Sequence, residues 1–367
     1  MPVLGVSVYP DLRPLDEIED YLAQAARRGY TRVFSSMFSV EGSDEEVLGL
    51  FEKLNATAHE QGMKVSLDIN PECMERFGAT PDDLSIFAGI GTDILRMDGA
   101  YDADDNVRML QNPYGMQIEY NASALAPAQI AELVERGVEK DRILACHNFY
   151  PQRYTGFRWD KFREVTARLR AKGLRVGAFV ASHATGTHGV WDATEGLPTV
   201  EFMRDFPADL QARLLVAAGA TEVFFGNAYA SDEELAAVAE ALADNRKRVR
   251  IELMPDVSPV EQEILLQFSP HMDMGDSSEW MWRSRLPRVK YSEQVIAPRD
   301  VDVVWFVPGD VLMVNDNYKH YAGEVQVVLR PMRNDGIRNL VGRVNEQEFA
   351  LFELIHDFDE VVFLAAQ

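Results

Sequence analysis

Hydrophobic and polar positions alternate in eight short segments along the first two thirds of the chain, a pattern typical of half-buried β-strands. Amphipathic stretches separate most of these segments, with apolar residues three or four positions apart as on one face of a helix. This alternation of strands and helices predicts a parallel sheet. The eight predicted strands are Leu4–Pro10, Thr31–Phe38, Lys64–Pro71, Asp93–Gly99, Met116–Ser123, Arg142–Pro151, Arg175–Ser182 and Glu222–Ala230.

Capping residues mark the boundaries of the predicted helices. One helix is expected to begin after Ser43 and to end at Gly62, and another to begin after Ser231. A third, rich in apolar residues at helical spacing, ends at Gly29. Serine accepts hydrogen bonds from the first turn of a helix, and glycine adopts the left-handed conformation in which many helices end.

Eight β/α units in about 250 residues predict a closed (β/α)8 TIM barrel. The alternative is an open doubly wound sheet, which usually carries a glycine-rich phosphate turn after its first strand. Here the first strand continues into YPDLRP, which favours the barrel. After Asn245 the helical alternation stops and short β patterns follow a proline-marked stretch. We therefore predict a barrel domain over residues 1–250 and a smaller, mostly-β domain over residues 255–367.

Composition and charge limit the classes of partner. The chain has 367 residues and a formal net charge of −23, which argues against nucleic acid, whose partners need a basic surface. Neither an apolar run of membrane-spanning length nor a signal-peptide pattern is present, so we expect a cytoplasmic protein without a membrane partner. The two cysteines, Cys73 and Cys146, have neither the number for a disulfide framework nor metal-site spacing.

Polar residues share one face of several predicted strands, towards the end where the chain leaves each strand. In LDINPE, for example, Asp68 and Asn70 lie opposite Leu67 and Ile69. Because interior and exterior residues alternate along barrel strands, these polar groups are expected to converge at the carboxyl ends, where barrel enzymes place their active sites. The set comprises Ser7, Tyr9, Asp68, Asn70, Arg96, Asp98, Glu119 and Asn121.

Several carboxylates near amides and aromatic rings are typical of a glycosidase, in which one acid protonates the leaving oxygen and a second carboxylate, or the acetamido group of the substrate, supports the transition state. We predict that Asp68, Asp98 and Glu119 include the acid/base pair. The predicted sugar-binding residues also include His147, Asn148 and Tyr150 after the sixth strand and Asn227 after the eighth, with Phe149 and Trp191 as stacking rings.

A metal-dependent isomerase or hydrolase is the competing interpretation. Its ligands would be Asp68, Glu119, His147 and His183, although neither an HxH nor an HExxH motif occurs. We therefore predict no metal and no cofactor. Two long loops add candidates: His147–Phe157 contains Arg153, and Ser182–Asp205 contains Glu195, a reserve catalytic residue, and Arg204. Loops of this length in compact domains are usually functional.

Longer motifs connect the chain to a known family. In chain order these are LDINP, LRMDGAY, IEYNAS, CHNFYPQRYTGF, EGLPT, GNAYAS, SRLPRVKY and GDVLMVNDNYKHYAGEVQ. Together they resemble the bacterial 6-phospho-N-acetylmuramidases of the MupG type, over essentially the whole chain. The resemblance implies an N-terminal barrel and a C-terminal cyclophilin-like β domain. It also implies the removal of N-acetylmuramic acid 6-phosphate from the non-reducing end of its β-1,4-linked disaccharide with N-acetylglucosamine, during cytoplasmic peptidoglycan recycling.

Such a substrate carries a phosphate and a lactyl carboxylate, so an acidic protein must bind it through local basic groups. Arginine binds both anions with two parallel hydrogen bonds. The candidates are Arg96, Arg153 and Arg204 in the barrel and Arg283, Arg285, Arg288 and Lys290 in the β domain. Two alternatives remain open at this stage: a non-catalytic sugar-phosphate binding protein, and a glycosidase acting on a different disaccharide.

Overall fold

A computed structural model of the protein describes residues 1–38, 40–99, 101–190, 195–299 and 303–366. The chain divides into two compact units, Met1–Ala243 and Asp244–Gln367. The first contains all eight strands that the hydrophobic pattern predicts. The second is mostly β. Within the described residues, none of the helices combines the length and the apolar character that a membrane span requires.

The first unit is a closed barrel of eight parallel strands, which confirms the predicted TIM-type fold. Each strand pairs with the next in sequence, and β1 closes the barrel by pairing with β8, Gly5 lying opposite Phe224. The observed strands are shorter than the predicted ones because the polar ends belong to the loops. They are β1 Val3–Ser7, β2 Arg32–Ser36, β3 Lys64–Ile69, β4 Ile94–Met97, β5 Gln117–Asn121, β6 Ile143–Cys146, β7 Arg175–Val180 and β8 Glu222–Phe225.

The helices of this unit follow the strands. They are α1 Leu15–Arg27, α2 Asp44–Glu60, α3 Pro71–Arg76, α4 Ser85–Gly89, α5 Ala103–Leu110, α6 Pro127–Glu135, α7 Trp159–Ala171, α8 Ala208–Ala217 and α9 Asp232–Ala241, with 3-10 turns at Lys140–Arg142 and Glu201–Met203. Ser43 and Ser231 form capping boxes at the starts of α2 and α9, as predicted.

Aromatic side chains fill part of the barrel interior. Phe34, Phe179 and Phe224 pack together, with ring centroids 5.2 and 5.6 Å apart for the two pairs that include Phe179. Gly5 makes room for them, because a Cβ atom there would lie 2.2 Å from Cδ1 of Phe224. A packed interior of this kind holds the inward-facing polar groups in fixed positions.

The second unit contains a seven-stranded sheet in the order β10-β17-β9-β16-β13-β14-β11 and a two-stranded ribbon, β12-β15. Its strands are β9 Lys247–Leu253, β10 His271–Met272, β11 Met281–Ser284, β12 Trp305–Phe306, β13 Asp310–Val314, β14 Val325–Val328, β15 Met332–Arg333, β16 Arg338–Val344 and β17 Glu360–Ala365. Its helices are α10 Pro259–Leu266 and α11 Leu286–Lys290, with 3-10 turns at Asp316–Tyr321 and Glu346–Leu354.

The boundary between the two units falls after Ala243, whereas the sequence predicts that the barrel domain ends at residue 250. The reason is β9, which pairs with β16 and β17 of the second unit. A hydrophobic pattern identifies a strand there but not the sheet to which the strand belongs.

Candidate active site

Three inward-facing residues form a hydrogen-bonded group near the carboxyl ends of the barrel strands. Asp68 on β3 is the pairing partner of Arg96 on β4, so their side chains emerge side by side. Arg96 Nη1 donates a hydrogen bond to Asp68 Oδ1, and its Nη2 donates to Asn148 Oδ1 in the loop after β6. Asp68 and Arg96 are each only 4% exposed. The guanidinium therefore fixes the orientation of the Asp68 carboxyl group.

Burial raises the pKa of Asp68 to about 7, even though the neighbouring Arg96 guanidinium lowers the pKa. The negative charges of Asp98 and Glu119 raise the pKa further. A carboxyl group with this pKa is protonated in about half of the molecules at neutral pH. Asp68 is therefore able to act as a proton donor under physiological conditions.

Beneath Asp68, buried charges of alternating sign continue down the barrel. Arg96 Nε lies 3.9 Å from Oε1 of Glu119, which is only 1% exposed. Oε2 of the same carboxylate lies 3.4 Å from Nη2 of Arg32, whose Nη1 lies 2.6 Å from Oε2 of Glu222. Arg32 and Glu222 are the first residues of their strands, so this group lies towards the amino ends of the strands.

Glu119 thus occupies a deeper layer than Asp68, and its position gives no support to the sequence-based prediction that it belongs to the acid/base pair. Its carboxylate contacts the two arginines rather than the solvent-facing end of the barrel. Arg32 and Glu222 are not among the site residues predicted from the sequence. The sequence does carry a signal for both residues. Arg32 lies two positions before Phe34 and Glu222 two positions before Phe224, so each charged residue shares the inward face of its strand with a phenylalanine.

Asp98 lies just beyond β4, and its side chain is exposed. Its backbone N–H donates to the carbonyl oxygen of Ile69 at 2.8 Å, which ties the end of β4 to the end of β3. The influence of its charge on the pKa of Asp68 indicates that the two carboxyl groups are neighbours. Asp68 and Asp98 are therefore a buried acid and an exposed acid at the same end of the barrel.

Comparison with known proteins agrees with this architecture. The family model for the N-terminal domain of the 6-phospho-N-acetylmuramidases matches residues 4–240, and the model for the C-terminal domain matches residues 248–364. The chain belongs to the 6-phospho-N-acetylmuramidase family. A crystal structure titled as an uncharacterized B. cereus protein is 32% identical, with a TM-score of 0.86 and 99% of each chain covered.

A second member of the same fold is a conserved Enterococcus faecalis protein whose title gives its function as unknown. It is 24% identical, with a TM-score of 0.71, and the match covers 99% of this chain and 96% of that one. No curated protein matched the chain. The comparisons therefore establish the family and the fold of the chain. The roles of individual site residues have to be inferred from their geometry.

Four polar residues of the predicted 6-phospho-N-acetylmuramidase site form hydrogen bonds with the backbone. Ser7 Oγ donates to the carbonyl oxygen of Phe225, and the Tyr9 hydroxyl donates to that of Gly226, both at 2.6 Å. The Asn227 amide bonds both the N–H and the carbonyl of Ser182, and Asn70 caps the start of α3. Ser7, Tyr9 and Asn227 are at most 2% exposed, so in this conformation they hold the strand ends together rather than facing a ligand.

His147 lies between β6 and α7 rather than in the barrel interior, so its position gives no support to its predicted place in the sugar site. Its Nε2 lies 3.0 Å from Thr166 Oγ1, and its ring packs 4.6 Å from that of Phe162. Burial lowers the pKa of His147 to about 3, so the imidazole is neutral. Cys146 takes the inward position instead and joins the aromatic cluster.

The four residues of the metal alternative are not brought together. His147 is in the sheet–helix layer, Glu119 is deep in the barrel, and His183 is exposed, with Nε2 3.0 Å from the carbonyl oxygen of Phe206. Within the described ranges, no group of three His, Cys, Asp or Glu side chains is arranged to hold a metal ion.

The loops after β6 and β7 are joined by two arginines. The side chain of Arg153 is 35% exposed. It pairs with Glu195 at 2.8 Å and donates to both carboxylate oxygens of Asp205. Arg204 is 1% exposed and bonds Glu201 together with four loop carbonyl oxygens, so it is a structural anchor rather than a phosphate ligand. Tyr150 is half-buried in the same region, and Trp191 lies outside the described residues.

In the second unit, the three arginines predicted to bind phosphate also have acidic partners. Arg283 and Arg288 both pair with Glu324, a fully buried carboxylate, at 2.8 and 3.2 Å. Arg285 pairs with Asp276 at 3.0 Å and keeps 39% of its side chain exposed. Of the three arginines, Arg285 therefore retains the most exposed side chain for a ligand.

Proposed function

We propose that this protein hydrolyses the β-1,4 bond between N-acetylmuramic acid 6-phosphate, at the non-reducing end, and N-acetylglucosamine. Two facts support the proposal: the family to which the chain belongs, and a buried carboxyl group of pKa about 7 at the end of the barrel where such enzymes act. The Asp68 carboxyl group is the observation that carries it, because glycoside hydrolysis needs an acid that is still protonated near neutral pH.

Asp68 is proposed as the general acid. Arg96 occupies Oδ1, which leaves Oδ2 as the position for the transferable proton. As the glycosidic bond breaks, this proton passes to the leaving oxygen, and the resulting carboxylate is stabilised by the same guanidinium. Asn148 accepts a hydrogen bond from Nη2 of Arg96 and thereby helps to keep the Asp68 carboxyl group in place. Proton donation by a positioned side chain typically contributes a factor of about 10²–10⁴ in rate.

Asp98 is proposed as the second carboxylate. It is exposed next to Asp68, where it can support the oxocarbenium-like transition state or activate water. The acetamido group of the substrate is the alternative, in which case Asp98 orients that group instead. Asn121, which borders the same side of the barrel end, and Tyr150 are proposed as hydrogen-bonding partners of the sugar hydroxyls.

The anionic groups of the substrate need cations in a chain of net charge −23. Arg153 is the proposed ligand for these groups, because its guanidinium keeps part of its surface exposed in the loop after β6. An incoming phosphate would replace Asp205 as the bidentate partner of Arg153. Glu195, which also pairs with Arg153, would then orient the arginine. The setting we propose is cytoplasmic recycling of peptidoglycan fragments.

Product analysis by mass spectrometry tests the proposal. The purified protein would be incubated, with EDTA, with the phosphorylated disaccharide and with its unphosphorylated twin. We expect cleavage of the phosphorylated form alone, and no cleavage by Asp68→Asn under the same conditions. If neither disaccharide is cleaved, and added divalent metal restores nothing, the proposed reaction is wrong. Tight binding of the phosphorylated disaccharide without turnover would identify a sugar-phosphate binding protein. Cleavage of the unphosphorylated disaccharide would identify a glycosidase of different specificity.

A further inference from the structure

A cavity of about 330 Å3 lies beside Asp98, between the loops that follow β4 and β5 and the helices α5 and α6. Its volume is at the lower end of the range for small-molecule sites, about 300–1,000 Å3. Met97, Leu125 and Leu133 form apolar parts of its wall. Asp98 is common to this cavity and to the proposed catalytic pair, so the cavity adjoins the reacting end of the barrel.

Several polar atoms of residues in the cavity wall have no hydrogen-bond partner among the described residues. They are the hydroxyl groups of Tyr101 and Tyr120 and the Oδ1 atom of Asn106. Tyr120 is only 9% exposed, and a buried hydroxyl group without a partner costs free energy. In this conformation the three atoms have almost no accessible surface, so a ligand in the cavity would bond them only after the side chains rotate towards it.

The local structure explains why Asn106 keeps a free acceptor. Its Nδ2 donates to the carbonyl oxygens of Tyr101 and Asp102, at 3.0 and 2.8 Å, which fixes the amide plane at the start of α5. The Oδ1 atom is therefore held on the opposite side of the amide, without a partner of its own. Such an atom accepts a hydrogen bond from a hydroxyl or an amide N–H group.

Charge limits the class of ligand. The described residues that line the cavity include two acids, Asp98 and Glu132, and neither lysine nor arginine. A phosphate or carboxylate would be desolvated there without a cation, which is unfavourable. An uncharged ligand with hydroxyl and amide groups and some apolar surface matches both the apolar wall and the unpartnered atoms.

We propose that this cavity is the subsite for the uncharged N-acetylated sugar, the leaving group of the reaction. The inference rests on the proposed function, in which only the N-acetylglucosamine half of the disaccharide lacks a negative charge. The anionic half would lie outside this cavity, with Arg153 in the loop after β6 as its proposed cation. The two halves of the substrate are thus separated by charge, with the bond to be broken between them.

Direct binding tests the subsite without reference to turnover. Free N-acetylglucosamine would be titrated into the full-length protein and followed by NMR or calorimetry, with glucose as the ligand that lacks the acetamido group. Tyr120→Phe removes only the unpartnered hydroxyl, and Ala124→Leu reduces the volume of the cavity from its wall. Tyr114→Phe, at a tyrosine that is 46% exposed and lies outside the lining, is the matched control.

We expect the Kd of N-acetylglucosamine to rise at least about fivefold in Tyr120→Phe, the effect of one neutral hydrogen bond, and at least about tenfold in Ala124→Leu. Tyr114→Phe should bind normally. The melting temperature of Tyr120→Phe should stay the same or rise, because the variant removes a polar atom that has no partner. Two results would overturn the subsite. One is that N-acetylglucosamine binds as weakly as glucose, and the other is that none of the three variants changes the Kd of N-acetylglucosamine.

Turnover separates this inference from the proposed function. Two substrates would be compared: the phosphorylated disaccharide, and the β-fluoride of N-acetylmuramic acid 6-phosphate, whose leaving group does not occupy the cavity. Tyr120→Phe and Ala124→Leu should lower kcat/KM for the disaccharide by the same factors as they weaken binding, and by less than twofold for the fluoride. Equal losses on both substrates refute the subsite, whereas a wild-type protein that cleaves neither refutes the proposed function.

Discussion

Replacing Asp68 by asparagine is the most direct test of the proposed chemistry. The asparagine side chain has the same shape and can still accept a hydrogen bond from Arg96, so the group formed with Asn148 is preserved. What is lost is the proton. The variant therefore separates the role of a proton donor from that of a packing residue in the barrel interior.

The expected effect on activity has two parts. For the disaccharide, kcat should fall by about 10²–10⁴, the usual contribution of a general acid. For the β-fluoride of N-acetylmuramic acid 6-phosphate the loss should be less than tenfold, because fluoride leaves without protonation. In the wild type, kcat/KM for the disaccharide should decrease above a pH of about 7, where Asp68 loses its proton, and the variant should lack this decrease.

The same pKa makes the stability of the protein depend on pH. The pKa of Asp68 is raised by burial from 3.8 to about 7, so between these values the folded state binds more protons than the unfolded state. Its contribution to stability is therefore fully present below pH 3.8 and is lost as the pH rises through 7. At about 1.4 kcal/mol per pKa unit, the loss between pH 5 and pH 8 is about 3 kcal/mol.

Urea unfolding of the wild type and of Asp68→Asn at pH 5 and pH 8 measures this difference. The free energy of unfolding of the variant, relative to the wild type, should be about 3 kcal/mol higher at pH 8 than at pH 5. Asp82→Asn, at a side chain that is 72% exposed, is the control and should follow the wild type. A relative stability independent of pH, together with equal losses of activity on disaccharide and fluoride, would refute Asp68 as the acid.

Further variants probe the rest of the barrel. Asp98→Asn should lower kcat at least about hundredfold while the melting temperature changes little, because the side chain is exposed; unchanged turnover removes it from the mechanism. Glu119→Gln leaves two buried arginines without their shared carboxylate, so urea unfolding should show a loss of about 3 kcal/mol or more, and the alkaline decrease in kcat/KM should move to lower pH. Gly226→Ala places a Cβ atom 2.3 Å from the carbonyl oxygen of Leu197 and should lower the melting temperature, whereas the same change at Gly49, where no atom lies within 4 Å, should raise it.

The barrel could be predicted from the sequence because its signals are local. The alternation within a strand, the helical spacing between strands and the capping serines at 43 and 231 each depend on a few neighbouring residues. The sheet to which β9 belongs depends instead on contacts with β16 and β17, about 90 to 110 residues later in the chain. No short pattern carries that information.

The site was predicted less completely, for a physical reason. Alternation gives the face of a strand on which a residue lies, but not its height along the barrel axis. Glu119 and Asp68 share the inward face, yet the strand register places Glu119 one layer deeper. In the sixth strand, both faces are apolar, so the sequence does not show whether Cys146 or His147 points inward. Packing against the aromatic cluster decides in favour of Cys146.

The balance of charge inside the barrel explains why Asp68, rather than a deeper acid, is the group to hold a proton. Arg32 and Arg96 supply two buried positive charges, and Glu119 and Glu222 supply two buried negative charges. This set is neutral as it stands, so ionised Asp68 is an additional negative charge in a poorly hydrated space. Such a charge is unfavourable because its positive neighbour, Arg96, is already balanced by Glu119, until a further positive partner appears. The oxocarbenium-like transition state of the proposed reaction supplies that partner at the moment the proton leaves, so the arrangement that raises the pKa of Asp68 also favours its ionisation during bond cleavage.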